Sequence, residues 1–216
     1  MKIFTFFILS LFCMVSTQAF TILGYSPSNY NANVATMNSN LGIDSSYIIE
    51  DFEDGTLIPG LSIQYSNGST TPLFNASWAY GTYLWDGSRV FSAYENGGYP
   101  DPTFSFATGV TAFGIGISNA YLSSTSYPTY LRINGTSYGT IGAISGYTSA
   151  DDGRNIYIRV VADAGEVINS IKFDMAPGDY ISYDHLAVRL VPELSCVWLV
   201  VLAIGILSSR VYRKEK

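Results

Sequence analysis

Apolar and polar residues alternate along most of the chain with a period of two, which is the spacing of a strand that buries one face. The clearest case is residues 154–162, in which Ile156, Ile158 and Val160 share one face. The central part of the chain lacks the 3.6-residue period of an amphipathic helix. The same alternation predicts eight further strands, at residues 47–52, 61–65, 89–94, 103–106, 111–117, 130–133, 167–173 and 186–191.

Tight-turn motifs separate these strands. Asn-Gly and Asp-Gly pairs favour chain reversal because both residues tolerate positive φ, and they occur at 54–55, 67–68, 86–87, 134–135 and 152–153. The composition agrees, with 17 Tyr, 12 Phe and 20 Gly and only 13% charged residues. Short strands at this spacing predict an all-β, antiparallel fold, either a β-sandwich or a barrel.

The segment 20–46 does not share the alternation. It is rich in Asn and Ser and shows neither period, so we expect a leader that is loosely ordered or laid over one sheet. The β-domain proper is then predicted to span residues 47–190.

The N-terminus has the pattern of a secretory signal peptide. Met1-Lys2 supplies a positive start, residues 3–15 are largely apolar, and Thr17-Gln18-Ala19 forms a small-residue cleavage site. We therefore expect residues 1–19 to be removed. Cys13 would suggest lipidation instead, but bulky Phe12 precedes it, where a lipoprotein signal has a small residue.

The C-terminus has the pattern of a membrane segment. Residues 194–209 carry no charge, and as a helix they would rise about 24 Å, somewhat short of a hydrocarbon layer of about 30 Å. The cations Arg210, Arg213, Lys214 and Lys216 follow at once, which predicts an inside C-terminus and an outside β-domain. The alternative is a buried core helix, but the run is apolar on all sides.

Charge and cysteine content limit the function classes. Between residues 20 and 193 there are six Arg and Lys against 16 Asp and Glu, a net charge of −10, which disfavours nucleic acid as a partner. Both cysteines, Cys13 and Cys196, lie outside this span. A disulfide therefore cannot brace the domain, and packing or a metal ion has to hold it.

With these three parts in place, the tail resembles the PEP-CTERM sorting signal of Gram-negative and related bacteria. That signal is Val-Pro-Glu-Pro, an apolar segment and a basic end; Val191, Pro192 and Glu193 match it, whereas Leu194 stands where the fourth residue is proline. The resemblance implies an exosortase, a membrane-embedded transpeptidase, as partner. It also implies, through the approach at residues 173–188, a jelly-roll sandwich similar to carbohydrate-binding modules.

The chemistry of the motif fits recognition by a protease. Pro192 lacks an amide hydrogen and biases Val191 towards extended structure, so it ends the last strand. Glu193 would be a polar handle at the outer membrane face. The alternative is a plain membrane anchor with an incidental proline.

Two acidic clusters are the candidate metal ligands. Glu50 and Asp51 lie at the first predicted strand of the domain and Asp184 enters the last one, where alternation places Asp184 on the same face as Leu186 and Val188. A structural Ca²⁺ held by Glu50 or Asp51 together with Asp184 would compensate a carboxylate facing the core. The alternative is that Asp184 accepts hydrogen bonds from backbone amides and residues 50–54 form a solvated edge.

The single histidine disfavours an enzyme. Alternation points His185 away from the core and away from the Asp184 carboxylate, so that carboxylate does not orient its ring as in a Ser-His-Asp triad. Paired carboxylates of the glycosidase type are compatible with the acid content, although none forms a recognisable pair. We expect a non-enzymatic protein, with a glycan-active hydrolase as the more distant alternative.

Aromatic residues between 78 and 85 are the candidate ligand surface. Trp78, Tyr80, Tyr83 and Trp85 would stack on sugar rings if their faces were exposed. The alternative is that they pack within the sheet. The sequence as a whole predicts an exported protein, anchored in the membrane with its domain outside or released to the cell surface by tail processing. Its expected role is structural or adhesive in an extracellular polysaccharide matrix, or else that of a carbohydrate-binding module.

Overall fold

The computed structural model describes residues 19–25, 34–76, 85–94, 99–120, 128–145 and 155–192. This part of the chain is an antiparallel β-structure with two short helices. The all-β prediction is thus confirmed. The elements are β1 Phe20–Tyr25, α1 Val34–Leu41, β2 Ile48–Glu50, β3 Leu61–Gln64, β4 Leu73–Ala76, β5 Arg89–Tyr94, β6 Thr103–Ser118, β7 Tyr130–Ile133, β8 Thr136–Thr140, α2 Ile141–Ser145, β9 Ile156–Ala162, β10 Ile168–Asp174 and β11 Tyr180–Leu190.

One long strand, β6, belongs to two portions of the sheet. Its first residues pair with β3 and β10, and this portion continues through β7 to β8; we call it sheet I. Its later residues, from 110 on, pair with β11 and β9. This second portion, sheet II, also contains β5 and β4, β2 on the edge of β11, and β1 on β9. Gly109, with a φ of 68°, lies where β6 passes from one portion to the other.

The main core lies between the two portions and is largely aromatic. Phe104 of sheet I is fully buried, and its ring centroid lies 5.9 Å from that of Phe113 and 5.7 Å from that of Tyr183, both in sheet II. Phe173 of sheet I lies 5.2 Å from Tyr183. The two portions therefore pack face to face through offset and edge-on ring pairs, as in a sandwich.

A second core covers the outer face of sheet II. Helix α1 buries Met37 and Leu41 against this face, where they form one cluster with Trp85 and Tyr157. The part of β6 beneath this cluster has glycine at positions 114 and 116. A Cβ atom at position 116 would lie 2.3 Å from the Trp85 ring. The glycine is required there because the indole lies directly on the backbone.

The predicted leader, residues 20–46, contains a strand and a helix. Its first part is β1, which pairs with β9 from Phe20 opposite Ala162 to Tyr25 opposite Tyr157, and its later part is α1. Within the described residues of this segment, β1 thus extends sheet II at β9 and α1 lies on the outer face of that sheet, whereas residues 26–33 lie outside the described residues. The reason for this placement is tertiary, since neither element has a strong local signal and both are held by sheet II.

The strand predictions are confirmed in most places and wrong in a few. The strands predicted at 103–106 and 111–117 are one continuous β6, and β11 begins at Tyr180 rather than at residue 186. Strands β1, β4 and β8 and both helices were not predicted. All of the missed elements are short, and β8, Thr-Ser-Tyr-Gly-Thr, has no buried apolar face to generate alternation.

Candidate functional site

The acidic segment after β2 folds into a turn whose carboxylates accept hydrogen bonds from the backbone. Asp51 accepts from the amide of Glu53 at 3.0 Å, and Asp54 accepts from the amide and the hydroxyl of Thr56, both at 2.7 Å. These bonds lower the pKa of Asp54. Such side-chain to backbone bonds across two residues stabilise turns, so this part of the acidic cluster shapes the chain.

Glu50 holds the far side of the same turn. It is buried, and its Oε1 accepts from the Phe52 amide at 2.7 Å while its Oε2 accepts from the Ile58 amide at 2.8 Å. Burial raises the pKa of Glu50, and the two backbone hydrogen bonds act against that rise. Phe52 lies in the left-handed region with a φ of 61°, which its hydrogen bond to Glu50 helps to maintain.

Glu53 ties this turn to the chain before β5. Its carboxylate accepts hydrogen bonds from the amides of Ser88 and Arg89 and from the Ser88 hydroxyl. In return, Arg89 Nη1 donates to the Glu53 carbonyl at 3.0 Å. Glu53 thus joins two segments that are separated by about 35 residues in sequence.

Asp184 lies at a β-bulge in β11. Asp184 stands opposite Gly116 and Ala187 opposite Gly114, so β11 has one more residue than β6 across this step. Because of the extra residue, Tyr183 and Leu186 both enter the main core, whereas Asp184 faces the second core. The prediction that Asp184 shares a face with Leu186 and Val188 is therefore wrong, since a bulge reverses the alternation.

The Asp184 carboxylate accepts three backbone hydrogen bonds. Oδ2 accepts from the amides of Trp85 and Asp86, each at 2.9 Å, and Oδ1 accepts from the amide of His185 at 2.7 Å. Burial raises the pKa of Asp184 to about 7, although the three amides favour the charged form. The sequence suggested two roles for Asp184, a calcium ligand or an acceptor of hydrogen bonds from backbone amides. The structure shows the second arrangement.

His185 is fully buried beneath α1. Its φ of 48° places it in the bulge. Its Nδ1 lies 3.1 Å from Asp86 Oδ2, and its Nε2 lies 2.6 Å from Asn38 Oδ1 in α1. Burial lowers the pKa of His185 and favours the neutral ring. A neutral ring that donates from Nδ1 to Asp86 accepts at Nε2, and Asn38 then donates to it with the amide group turned by 180°, so that Nδ2 rather than Oδ1 faces the ring.

The prediction for His185 is thus right in one part and wrong in another. As expected, the Asp184 carboxylate does not bond to the ring, but a carboxylate that was not predicted, that of Asp86, does. The face to which it points is not solvent-exposed, because α1 closes it. Asn38 and Asp86 were missed as its partners, since they lie 147 and 99 residues away in sequence.

These carboxylates do not form a ready set of calcium ligands. Both carboxylate oxygens of Glu50 and both of Asp184 accept hydrogen bonds from backbone amides. One carboxylate oxygen of Asp51 does so as well. Within the described ranges, no group of three or more His, Cys, Asp and Glu is arranged to hold a metal ion. Calcium binding stays a prediction, and the arrangement of these side chains does not favour it.

The predicted sugar-stacking residues divide into two groups. Trp78, Tyr80 and Tyr83 lie outside the described residues. Trp85 is only 4% exposed, and its ring packs edge-on against Tyr157 at 5.6 Å. Trp85 therefore presents no open face to a sugar, and the packing alternative is correct for this residue.

The tail begins directly at the edge of the fold. Strand β11 ends at Leu190, and Val191 and Pro192 follow in irregular structure with Pro192 exposed. Glu193, the predicted membrane segment 194–209 and the cations Arg210, Arg213, Lys214 and Lys216 lie outside the described residues, as do residues 1–18 of the predicted signal peptide. In the portion of the chain that the structure covers, no helix is long and apolar enough to cross a membrane.

A cleft of about 540 Å³ lies beside strand β3. One wall is β3 itself, with the side chains of Ser62 and Gln64, and the opposite walls are residues 55–57 and 70–74. The sequence analysis gave this region no functional role. The alternation Leu61-Ser62-Ile63-Gln64 predicted a strand with a polar outer face, but only the fold shows that residues 55–57 and residues 70–74, which lead into β4, lie beside it.

Comparison with known proteins adds little. No family model matches the chain, and no curated protein matches it. Among solved structures, the K2 cleaved adhesin domain of Lys-gingipain is similar, with 18% sequence identity and a TM-score of 0.41 over 68% of this chain and 100% of that one. A likeness at this level carries no argument about function.

Proposed function

We propose that this protein is exported and sorted to the cell envelope, where its β-domain has a structural or adhesive role without catalysis. In this proposal the first 19 residues are a signal peptide, the tail is recognised by an exosortase-type transpeptidase, and the partner environment is an extracellular polysaccharide matrix. The finer fold assignment, a jelly-roll order of the strands, belongs to the same proposal.

The observation that carries the proposal is the position of the motif relative to the fold. Strand β11 runs through the middle of sheet II and ends at Leu190, and Val191 and Pro192 lie just beyond the last ladder pair. An enzyme that grips an extended peptide needs a segment outside regular structure. Val191 and Pro192, the two described residues of the motif, meet this requirement without unfolding any part of the domain.

The acidic residues support a non-catalytic role. Glu50 and Asp184, which the sequence suggested as metal ligands, and Glu53 beside them each accept two or more hydrogen bonds that fix turns or join distant segments. Their arrangement is what a domain without disulfides needs to hold its loops. A hydrolase would instead place two carboxylates across an open cleft.

The test is mass spectrometry of the mature protein from its native host, together with cell fractionation. We expect an N-terminus at Phe20, loss of the residues after about 193 and recovery in the envelope or the medium. The matched variants are Pro192→Ala, which removes the motif's proline, and Pro177→Ala, which changes a proline in a turn of the domain.

We expect Pro192→Ala to leave the tail intact and Pro177→Ala to be processed normally. An intact C-terminus in the wild type would reduce the tail to a plain anchor. Recovery of the full-length chain in the cytosol would refute export altogether.

A further inference from the structure

The cleft beside β3 has the size of a ligand site. Its volume of about 540 Å³ falls in the range of about 300–1,000 Å³ that is usual for small-molecule sites. Its lining mixes hydroxyl and amide groups with apolar side chains, among them Leu57, Pro72 and Phe74.

Strand β3 contributes free backbone groups to this cleft. The Ala107 amide donates to the Gly60 carbonyl at 2.9 Å, so in the register of the β3–β6 pair the backbone groups of Ser62 and Gln64 bond to β6. The N–H and C=O of Ile63 then point the other way, into the cleft. The amides of Leu61 and Tyr65, which flank Ile63 on the same edge of β3, already donate hydrogen bonds. Leu61 donates to the Ile58 carbonyl at 3.1 Å, and Tyr65 donates to the Ser69 carbonyl at 2.9 Å.

The short free edge argues against a peptide that adds as a strand. Strand addition relies on a row of main-chain hydrogen bonds, whereas this edge offers a single residue with both groups open. A compact ligand that carries its own donors and acceptors matches one N–H and one C=O better than a peptide does.

The side chains in the cleft fit a neutral, hydroxyl-rich ligand. Ser62, Gln64 and Thr70 are exposed, uncharged and able to donate and accept. Thr56 donates its hydroxyl to Asp54 and keeps its lone pairs for a ligand donor. Among the described residues that line this cleft, none carries a charged side chain, so these residues offer an ionic ligand no counter-charge.

The guanidinium of Arg89, which lies behind one wall of the cleft, is already engaged in other contacts. The Arg89 guanidinium lies 5.9 Å from the centre of the Phe74 ring and donates to the Glu53 carbonyl. It packs behind Gly55, at 3.3 Å from where a Cβ would stand. Phe74 and Pro72 therefore give the cleft apolar surface without adding charge.

We propose that this cleft binds a neutral oligosaccharide, with sugar hydroxyls on Ser62, Gln64 and the Ile63 backbone and the apolar sugar face against Pro72 and Phe74. The site differs from the aromatic segment 78–85 that the sequence suggested. It goes beyond the proposed sorting role, although it would supply the proposed adhesive role with a ligand.

The test is affinity electrophoresis of the purified full-length protein in a detergent without a sugar headgroup. Native gels contain hydroxyethyl cellulose, xyloglucan, galactomannan, a β-1,3-glucan or dextran as neutral probes and alginate as the acidic probe. We expect retardation by at least one neutral polymer. Ser62→Trp, which fills the cleft, should abolish it, and Gln64→Ala should weaken it by about threefold to tenfold through one lost hydrogen bond.

The matched control is Thr136→Trp, which places the same indole on an exposed position of β8 and should leave the retardation unchanged. Gln64→Ala guards against misfolding, since it only shortens an exposed side chain. The proposal is overturned by absence of retardation in every neutral gel, by retardation in alginate alone, or by binding that both cleft variants leave intact. Displacement of the bound polymer by an extended (Thr-Val)₄ peptide would also overturn it by assigning the cleft to peptides. None of these outcomes depends on whether the tail is processed in cells.

Discussion

The two cores on either side of sheet II contain different kinds of side chains. The main core, between the sheets, is filled by large apolar and aromatic side chains such as Phe104, Phe113 and Phe173, all fully buried. The second core, under α1, combines apolar residues with Asp184 and His185, which are 1% and 0% exposed. Its β6 strand has glycine at positions 114 and 116, beneath the rings of Tyr157 and Trp85.

The difference shows how each core is specified. The main core needs only apolar residues at alternate positions, because burial of apolar area is not directional. The second core depends on hydrogen bonds between segments 98 to 147 residues apart in sequence. These bonds fix a single placement for α1 and for the chain at Trp85, which apolar contact alone would leave less defined.

The largest effect should come from the main core. We expect Phe104→Ala to lower the free energy of unfolding by about 3–5 kcal/mol, the usual cost of deleting a buried ring, because Phe104 contacts rings from both sheets. Urea denaturation measures the change. Tyr130→Ala is the control, since Tyr130 is 40% exposed, and an equal loss in the two variants would contradict the description of this core.

Overpacking should reveal the close contact in the second core. In Gly116→Ala the new methyl group meets the Trp85 ring at 2.3 Å, and we expect a loss of about 1–3 kcal/mol in the free energy of unfolding. Combining it with Trp85→Leu should relieve the clash, so the two losses should not add in a double-mutant cycle. Strict additivity would mean that the indole does not lie on Gly116.

The pH dependence of stability should also distinguish the two cores. The pKa of Asp184 is about 7 in the folded protein against an ordinary value of 3.8, so between about pH 4 and pH 7 the folded state holds a proton that the unfolded chain has lost. This carboxyl therefore lowers the free energy of unfolding as pH rises across that window. His185, whose pKa is lowered by burial, acts in the opposite sense and lowers stability as pH falls below about 6.5.

Asp184→Asn isolates the first of these effects. We expect the difference in free energy of unfolding between wild type and variant to change by about 1–3 kcal/mol between pH 4.5 and pH 7.5, with the wild type losing more as pH rises. Urea titrations at several pH values measure it. Asp163→Asn, which changes an exposed carboxyl, should run parallel to the wild type, and a parallel Asp184→Asn curve would disprove the assignment.

The smallest effect should come from the contact between α1 and the sheet. Asn38→Ala removes the 2.6 Å hydrogen bond to His185 Nε2, and we expect a loss of about 0.5–1.5 kcal/mol with faster amide hydrogen exchange in α1. Ser39→Ala changes the next, exposed residue of the helix and should leave both measurements unchanged. Equal exchange rates in the two variants would show that His185 does not hold the helix.

Period-two alternation was enough to place most of the main core. Ile156, Ile158 and Val160 lie on its side of β9, as the sequence indicated. The residues of the candidate sites were harder to predict. Asp184 was recognised as a buried carboxylate in need of partners, but its face was assigned incorrectly because a bulge at His185 cannot be read from alternation.

Sequence by itself determined the fold class of this protein, because alternating side chains and turn residues act through local geometry. The patterns at both ends of the chain are equally local, and the proposal of export and sorting rests on them rather than on the fold. Only the tertiary structure decided that α1 of the leader closes a second core, that Trp85 is buried and that residues 55–57 and 70–74 lie beside β3. Those features depend on contacts between segments that are far apart in sequence. Such contacts form only where the folded chain brings two segments together, and the residues that neighbour each segment in sequence do not determine which segments meet.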